Sequence, residues 1–214
     1  MQSVLTSVEL NYQHQEELRF KNERIENLDI IKEQVNYGAN LVSNVRKLSQ
    51  LEDMPIDPQK IEFNKVIEDS IEFIKRKFSY KDINIKIENQ HERYSVKANK
   101  FLQQVFENLL INSVKHNDQS PIEILIKIAK EMKEEQQFLR VEFIDNGIGV
   151  EDVRKNEIFQ REIREDRSVS GIGLGLLLTR KIIKSYNGEI WVEDRIKGDH
   201  SKGSKFIIMI PMTE

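Results

Sequence analysis

From residue 25 to residue 48 the apolar side chains return at steps of three and four: Ile25, Leu28, Ile31, Val35, Val42, Val45 and Leu48. Gly38 interrupts the stripe where another apolar residue is due. The spacing predicts an amphipathic helix, and Leu41 and Leu51 widen its stripe beyond a simple coiled-coil seam. Upstream, Val4, Leu5, Val8 and Leu10 give way to a polar stretch from Asn11 to Asn27, relieved mainly by Leu18 and Phe20. The two segments predict a helical hairpin that turns around Lys21 to Glu26. A hairpin with so wide a stripe does not cover its own apolar face, which predicts a dimeric four-helix bundle. The alternative is one long helix packed on the remainder of the chain. The text opens inside a helical pattern without a cap, so the first helix is expected to be truncated.

Met54-Pro55-Ile56-Asp57-Pro58 ends this pattern, because each proline disfavours helix at the residue before it. It divides a helical unit, residues 1–55, from a larger unit, residues 60–214. In the larger unit Phe63 to Phe78 reads as helix, Ile83 to Glu88 as an alternating strand, and Ala98 to Lys115 as a strongly periodic helix. Ile122 to Ile128 and Phe138 to Ile144 read as strands around a charged turn at Glu131 to Gln137. Leu174 to Ser185 reads as a helix stopped by Asn187-Gly188. Glu189 to Asp194 and Lys205 to Ile210 read as closing strands joined by a glycine-containing hairpin. Strands and helices interleave without strict βαβ order. The predicted fold class is therefore α+β: a helical hairpin followed by a two-layer α/β sandwich.

Charge narrows the classes of partner. Lys and Arg total 33 against 36 Asp and Glu, a net charge of −3. That balance gives no general reason to bind nucleic acid or anionic lipid, so any polyanion must be held by a local site. There is no cysteine, which excludes disulfides and thiolate metal clusters and fits a reducing, cytoplasmic setting. No apolar run approaches a membrane span and no signal-peptide pattern follows Met1, although a longer parent could be membrane-attached elsewhere.

Three segments carry candidate chemistry. In Glu107-Asn108-Leu109-Leu110-Ile111-Asn112-Ser113-Val114-Lys115-His116-Asn117, the residues Asn108, Asn112 and Lys115 fall at i, i+4 and i+7 and share one helical face. Amide oxygens can ligate a hard cation and the ammonium can sit on phosphate, which suits hydrated magnesium and a polyphosphate. A polar stripe facing solvent has the same spacing. Asp145-Asn146-Gly147-Ile148-Gly149 follows an apolar strand, so a carboxylate able to accept from an exocyclic amine adjoins backbone that permits close approach. Alone it is also an ordinary turn. Gly171-Ile172-Gly173-Leu174-Gly175-Leu176 opens a helix, where backbone N–H groups and the helix dipole favour phosphate. Its spacing is neither that of a dinucleotide-binding fingerprint nor that of a Walker A loop.

Taken in order, these segments resemble the sensor histidine kinases, whose nucleotide domain shares its fold with DNA gyrase and ATP-dependent heat-shock chaperones. Asn108–Asn117 resembles the N box and Asp145–Gly149 the first glycine box. Ile158-Phe159-Gln160-Arg161 resembles the F box, Gly171–Leu176 the second glycine box, and Gly203-Ser204-Lys205-Phe206 the last. The resemblance implies Mg2+ on Asn112 with Asn108 beside it, and Lys115 on phosphate. It implies Asp145 on the adenine amino group, Gly147 and Gly149 shaping the pocket, and His116 at the usual aromatic position. Arg164 would reach the γ-phosphate from a lid over residues 160–170, with Gly171, Gly173 and Gly175 wrapping the phosphates of ATP ahead of Leu174 and Leu176. Ser204 stands near the adenine end in place of the more frequent threonine. Two positions depart: Glu162 replaces the second F-box phenylalanine, and Ser201 replaces a glycine of the last box.

The resemblance also implies an ATP-dependent protein-histidine kinase of a two-component system, working as a homodimer with an upstream sensor domain and a response regulator as partner. The related ATPases carry a water-activating Glu one turn before the magnesium Asn. Here that position is Asn108, and Glu107 points about 100° away on an ideal helix, which favours transfer over hydrolysis. His14, in Tyr12-Gln13-His14-Gln15-Glu16-Glu17, lacks the acceptor context, so the phosphoacceptor is expected upstream. A serine kinase of the anti-sigma type and a non-catalytic nucleotide-binding scaffold are the competing readings.

Overall fold

A computed structural model of the chain describes residues 58–88, 92–160 and 174–213, together with most of 24–50. The chain divides into two compact units at Val45/Arg46. The described residues of 24–50 are helical (α1), and on α1 Leu28, Ile31, Val35, Val42 and Val45 are all exposed. The remainder of the expected hairpin, including His14, lies outside the described residues. Arg24, expected within the turn, is already helical.

In the second unit, β1 (Gln59–Glu62) leads into α2 (Phe63–Lys77), followed by β2 (Ile83–Glu88), β3 (Ser95–Ala98) and α3 (Phe101–Lys115). Then come the long hairpin β4 (Ile122–Lys133) and β5 (Gln136–Asp145), helix α4 (Leu174–Ser185), and the closing hairpin β6 (Glu189–Ile196) and β7 (Asp199–Pro211). Five strands form one sheet in the order β2-β4-β5-β7-β6, with β2 parallel to β4 and the other pairs antiparallel. β1 and β3 form a separate antiparallel pair.

Alternation decides which face is buried. Ile87, Ile126, Phe143, Phe206 and Val192 lie in one cross-strand row, and Ile128, Val141, Ile208 and Ile190 in the next. Helix α3 covers this face with Leu102, Val105, Phe106, Leu109, Leu110 and Val114, all fully buried. Phe106 bridges the layers, its ring 5.5 Å from Phe143 below and 5.3 Å from Phe63 of α2 above. On the far face Arg140 lies 5.5 Å over the Trp191 ring and pairs with Glu142 and Glu131. On that face charged side chains overlie a smaller apolar strip in which Ile207 and Met209 are buried.

Three sequence expectations require correction. Ala98 ends a strand, and α3 starts only at Phe101, because the Asn99 side chain accepts the Phe101 N–H at 2.9 Å. Glu131 to Gln137 is almost entirely strand; pairing continues to Lys133–Gln136, and Glu134 alone takes positive φ, 56°. The charges there are the solvent-facing ends of a sheet ribbon, with Lys130 on Glu92 and Lys133 on Glu189. The last strand begins at Asp199 instead of Lys205, so the β6–β7 turn is the tight Lys197-Gly198 pair, with Gly198 at φ 82°. At the end of α4, Asn187 at φ 59° lets the Gly188 N–H reach the Ile183 carbonyl at 3.0 Å, which is the predicted stop.

Replacing Phe106 by Ala removes the ring that joins both layers. We expect a loss of about 3–5 kcal/mol in urea unfolding, against no more than about 0.5 kcal/mol for Tyr80→Ala on the surface.

Candidate functional site: a buried carboxylate under the third helix

Strand parity puts Asp145 in the same register as Leu139, Val141 and Phe143, so its carboxylate points at the core and is only 4% exposed. An uncompensated carboxylate there would cost several kcal/mol. Four donors compensate it. Oδ1 accepts the Gly147 N–H at 2.9 Å and the Ser204 N–H at 3.2 Å; Oδ2 accepts the Ser204 hydroxyl at 2.6 Å and the Ser113 hydroxyl at 3.2 Å. Three elements supply these donors: the turn after β5, strand β7, and helix α3. The turn is itself clamped, since Ile148 donates its N–H to the His116 carbonyl at 3.1 Å.

Glycine is required at this junction because backbones meet there. A Cβ on Gly147 would lie 2.4 Å from the His116 carbonyl oxygen, and one on Gly203 2.0 Å from that of Asp145. Gly149, at φ 68°, would place a Cβ 1.7 Å from the His200 carbonyl oxygen. Beyond the turn, Phe159 is buried against Phe206, ring centroids 6.2 Å apart, and Lys155 pairs with Asp194 of β6. These contacts anchor the segment that leads to residues 161–173, which lie outside the described residues; Arg164, Gly171 and Gly173 are among them.

The amide face of α3 divides into two. Asn108 donates its Nδ2–H to Thr179 Oγ1 at 2.9 Å, and its Oδ1 is 2.5 Å from where a Gly175 Cβ would stand. The first turn of α4 therefore rests directly on Asn108. Thr179 in turn donates to the Gly175 carbonyl at 2.9 Å. Asn112 is half-buried on the same face and Lys115 is exposed. Leu174 is buried and Leu176 half-buried at the start of α4. The structure thus gathers Asp145, Gly147, Gly149 and Ser204 at one end, and ties Asn108 to Gly175 at the other.

Two contributors were not anticipated from sequence. Ser113, 3% exposed, takes a place in the α3 stripe at i+4 from Leu109 and i+7 from Phe106, where a hydrophobe is due. A small polar residue inside an apolar stripe is the signal that could have found it. Thr179 had no such signal, since its role depends on where Asn108 lies.

Among the described residues no group of three or more His, Cys, Asp or Glu could hold a metal. A metal at this site would rest on amide oxygen and on ligand phosphates. The half-buried Asn112, with Lys115 one turn on, suits such a cation, because magnesium is commonly held by one or two protein groups plus substrate phosphates. His116 is open to solvent on one side, yet desolvation of its ring and the neighbouring Lys115 hold its pKa below the usual imidazole value, against the pull of Asp145.

A mixed sheet with helices on one face makes this unit a two-layer α/β sandwich, with a buried aspartate at the end of β5. Residues 97–214 match the family described as histidine kinase-, DNA gyrase B- and HSP90-like ATPase, and the chain belongs to that family. It is 32% identical over 145 residues to the adaptive-response sensory kinase SasA of Synechocystis sp., covering 66% of this chain and 36% of SasA. It is 27% identical over 190 residues to the signal transduction histidine-protein kinase ArlS of Staphylococcus aureus, covering 86% of this chain and 40% of ArlS. Its fold matches full-length ShkA in complex with AMPPNP, with a TM-score of 0.64 and 20% identity over 81% of this chain and 35% of ShkA. The chain therefore spans little more than a third of the length of SasA. No helix among the described residues is long and apolar enough to cross a membrane.

Gly149→Ala should cost more than backbone strain, because its Cβ meets the His200 carbonyl. We expect a larger drop in thermal unfolding temperature than for Gly198→Ala, where nothing lies within 4 Å and only the strain of about 1–2 kcal/mol applies. His116 offers a pH test. Its folded pKa lies below its unfolded one, so the unfolded chain takes up the proton first. Its contribution is present above the unfolded pKa of about 6.5 and is lost as pH falls through the window below it. His116→Gln should flatten the stability profile below about pH 6.5.

Proposed function

We propose that this chain contains the catalytic core of a two-component sensor histidine kinase, which binds Mg-ATP and transfers its γ-phosphate to a protein histidine. The observation that carries the proposal is the buried Asp145 carboxylate, held among four donors at the end of β5. A rigid acceptor of that kind can read the exocyclic amine of adenine, and the glycines beside it let the base approach the backbone. From this end the phosphates would extend along α3 toward Asn112, Lys115 and the start of α4. Asn112 would hold Mg2+, which neutralises phosphate charge when bound. Asn108 stands beside Asn112 but has its amide N–H on Thr179. Its part is to seat the glycine loop at Gly175 as well as to border the metal.

Lys115 would sit on phosphate. Gly171, Gly173 and Gly175 would wrap the phosphates, and Arg164 would reach the γ-phosphate from the segment anchored by Phe159. Catalysis by such a site consists of positioning and charge neutralisation, the usual division of labour in phosphoryl transfer. The exposed apolar stripe of α1, with Leu28, Val35 and Val42 each more than 60% exposed, supports assembly as a homodimer through that helix. The product phosphohistidine would pass its phosphoryl group to an aspartate of a response regulator, and a sensor domain elsewhere in the parent would set the activity.

The test is to supply a separate helical domain carrying an acceptor histidine and follow label from γ-phosphate. Acid-labile label is expected; acid-stable label would instead indicate a serine kinase, and bound ATP without transfer would indicate a scaffold. Asn112→Ala should weaken magnesium-dependent ATP binding by about 10- to 100-fold while leaving the far-ultraviolet circular dichroism unchanged. Undiminished binding would remove Asn112 from the metal site.

A further inference from the structure

We infer that Ser113 is a displaceable donor that occupies the adenine-reading position of Asp145 until the base arrives. This rests on the reading of Asp145 as the purine acceptor. The carboxylate has about four lone-pair directions, and four donors already fill them. An adenine amine can bond to Asp145 only if one of these donors yields. Two of the four are backbone N–H groups fixed by the turn after β5 and by β7, and neither can withdraw without moving a strand. The Ser204 hydroxyl makes the shortest of the four bonds, 2.6 Å. The Ser113 hydroxyl, at 3.2 Å, is the longest-reaching side-chain donor and the one most readily released.

Ser113 also has somewhere to go. It lies within α3, where a serine can turn its hydroxyl onto the carbonyl four residues earlier, here that of Leu109. Ser70 does this to the Val66 carbonyl at 2.7 Å and Thr179 to that of Gly175 at 2.9 Å, so the arrangement is already used twice in this fold. Exchange of Ser113 for the adenine amine therefore keeps the buried carboxylate and the hydroxyl both satisfied throughout. A base without a 6-amino group leaves Ser113 where it is. Ser113 is thus a positioning residue, acting through Asp145, and its effect appears as discrimination between purines.

The experiment is calorimetric titration of the whole chain with Mg-ATP and with the magnesium complex of purine riboside triphosphate, which lacks only the amine. In Ser113→Ala the adenine amine no longer displaces anything, so ATP should bind about threefold more tightly. The analogue should bind about threefold more weakly, because it leaves Asp145 one donor short in a closed pocket. The ratio of the two dissociation constants should widen about tenfold, the scale of one hydrogen bond to a charged group. Ser113→Cys keeps the shape with a poorer donor and should move the ratio in the same direction by less, which covers the case of an unstable alanine variant. Equal weakening of both ligands, an unchanged ratio, or weakening of ATP alone would each overturn the inference. If the wild-type chain binds ATP and only the ratio fails to move, the kinase reading stands without it; if the wild-type chain does not bind ATP, both fall.

Discussion

A carboxylate on the hydrophobic side of a sheet is the constraint around which the second unit is organised. Asp145 continues the inward-facing series Leu139, Val141, Phe143, so the fold must either bury its charge or break the alternation. Burial uncompensated costs several kcal/mol. Each hydrogen bond to a charged acceptor returns about 1.5–3 kcal/mol, so a set of four is what makes the arrangement tolerable. Because those donors come from the turn after β5, from β7 and from α3, satisfying one side chain forces three elements into a single geometry.

The glycines follow from the same demand. Donors at 2.9–3.2 Å from one carboxylate require their backbones to approach it closely. At Gly147 and Gly203 a Cβ would stand 2.4 and 2.0 Å from carbonyl oxygens, well inside contact distance. The glycine-rich text around Asp145 is a packing requirement of the carboxylate.

The opposite end is built differently. Asn108 does not stand free beside Asn112; it carries the first turn of α4 through Thr179 and Gly175. The start of α4 is therefore coupled to α3 through a side-chain amide. This side-chain joint ties α3 to α4, and on the near side of the sheet Phe159 packs against Phe206 of β7.

Much of this was legible in the residues themselves. Period-2 alternation identified β2, strand-like runs marked most of β4 and β5, helical patterns identified α2, α3 and α4, and Asn187-Gly188 marked the end of α4, because local sterics and burial act on neighbours in sequence. The spacing of Asn108, Asn112 and Lys115, and of Asp145 with its glycines, carried the class of chemistry. Contacts distant in sequence were not legible. The pairing of β1 with β3, the extension of the β4–β5 ribbon through Glu131 to Gln137, the joint from Asn108 to Thr179, and the convergence of Ser113 and Ser204 on Asp145 all depend on register across the sheet. Sequence determined which residues could bond a base or a phosphate, since that is a property of each side chain. Only the tertiary structure decided which donors meet which acceptor, since a hydrogen bond between residues 32 or 59 positions apart exists only once the core has set the distance.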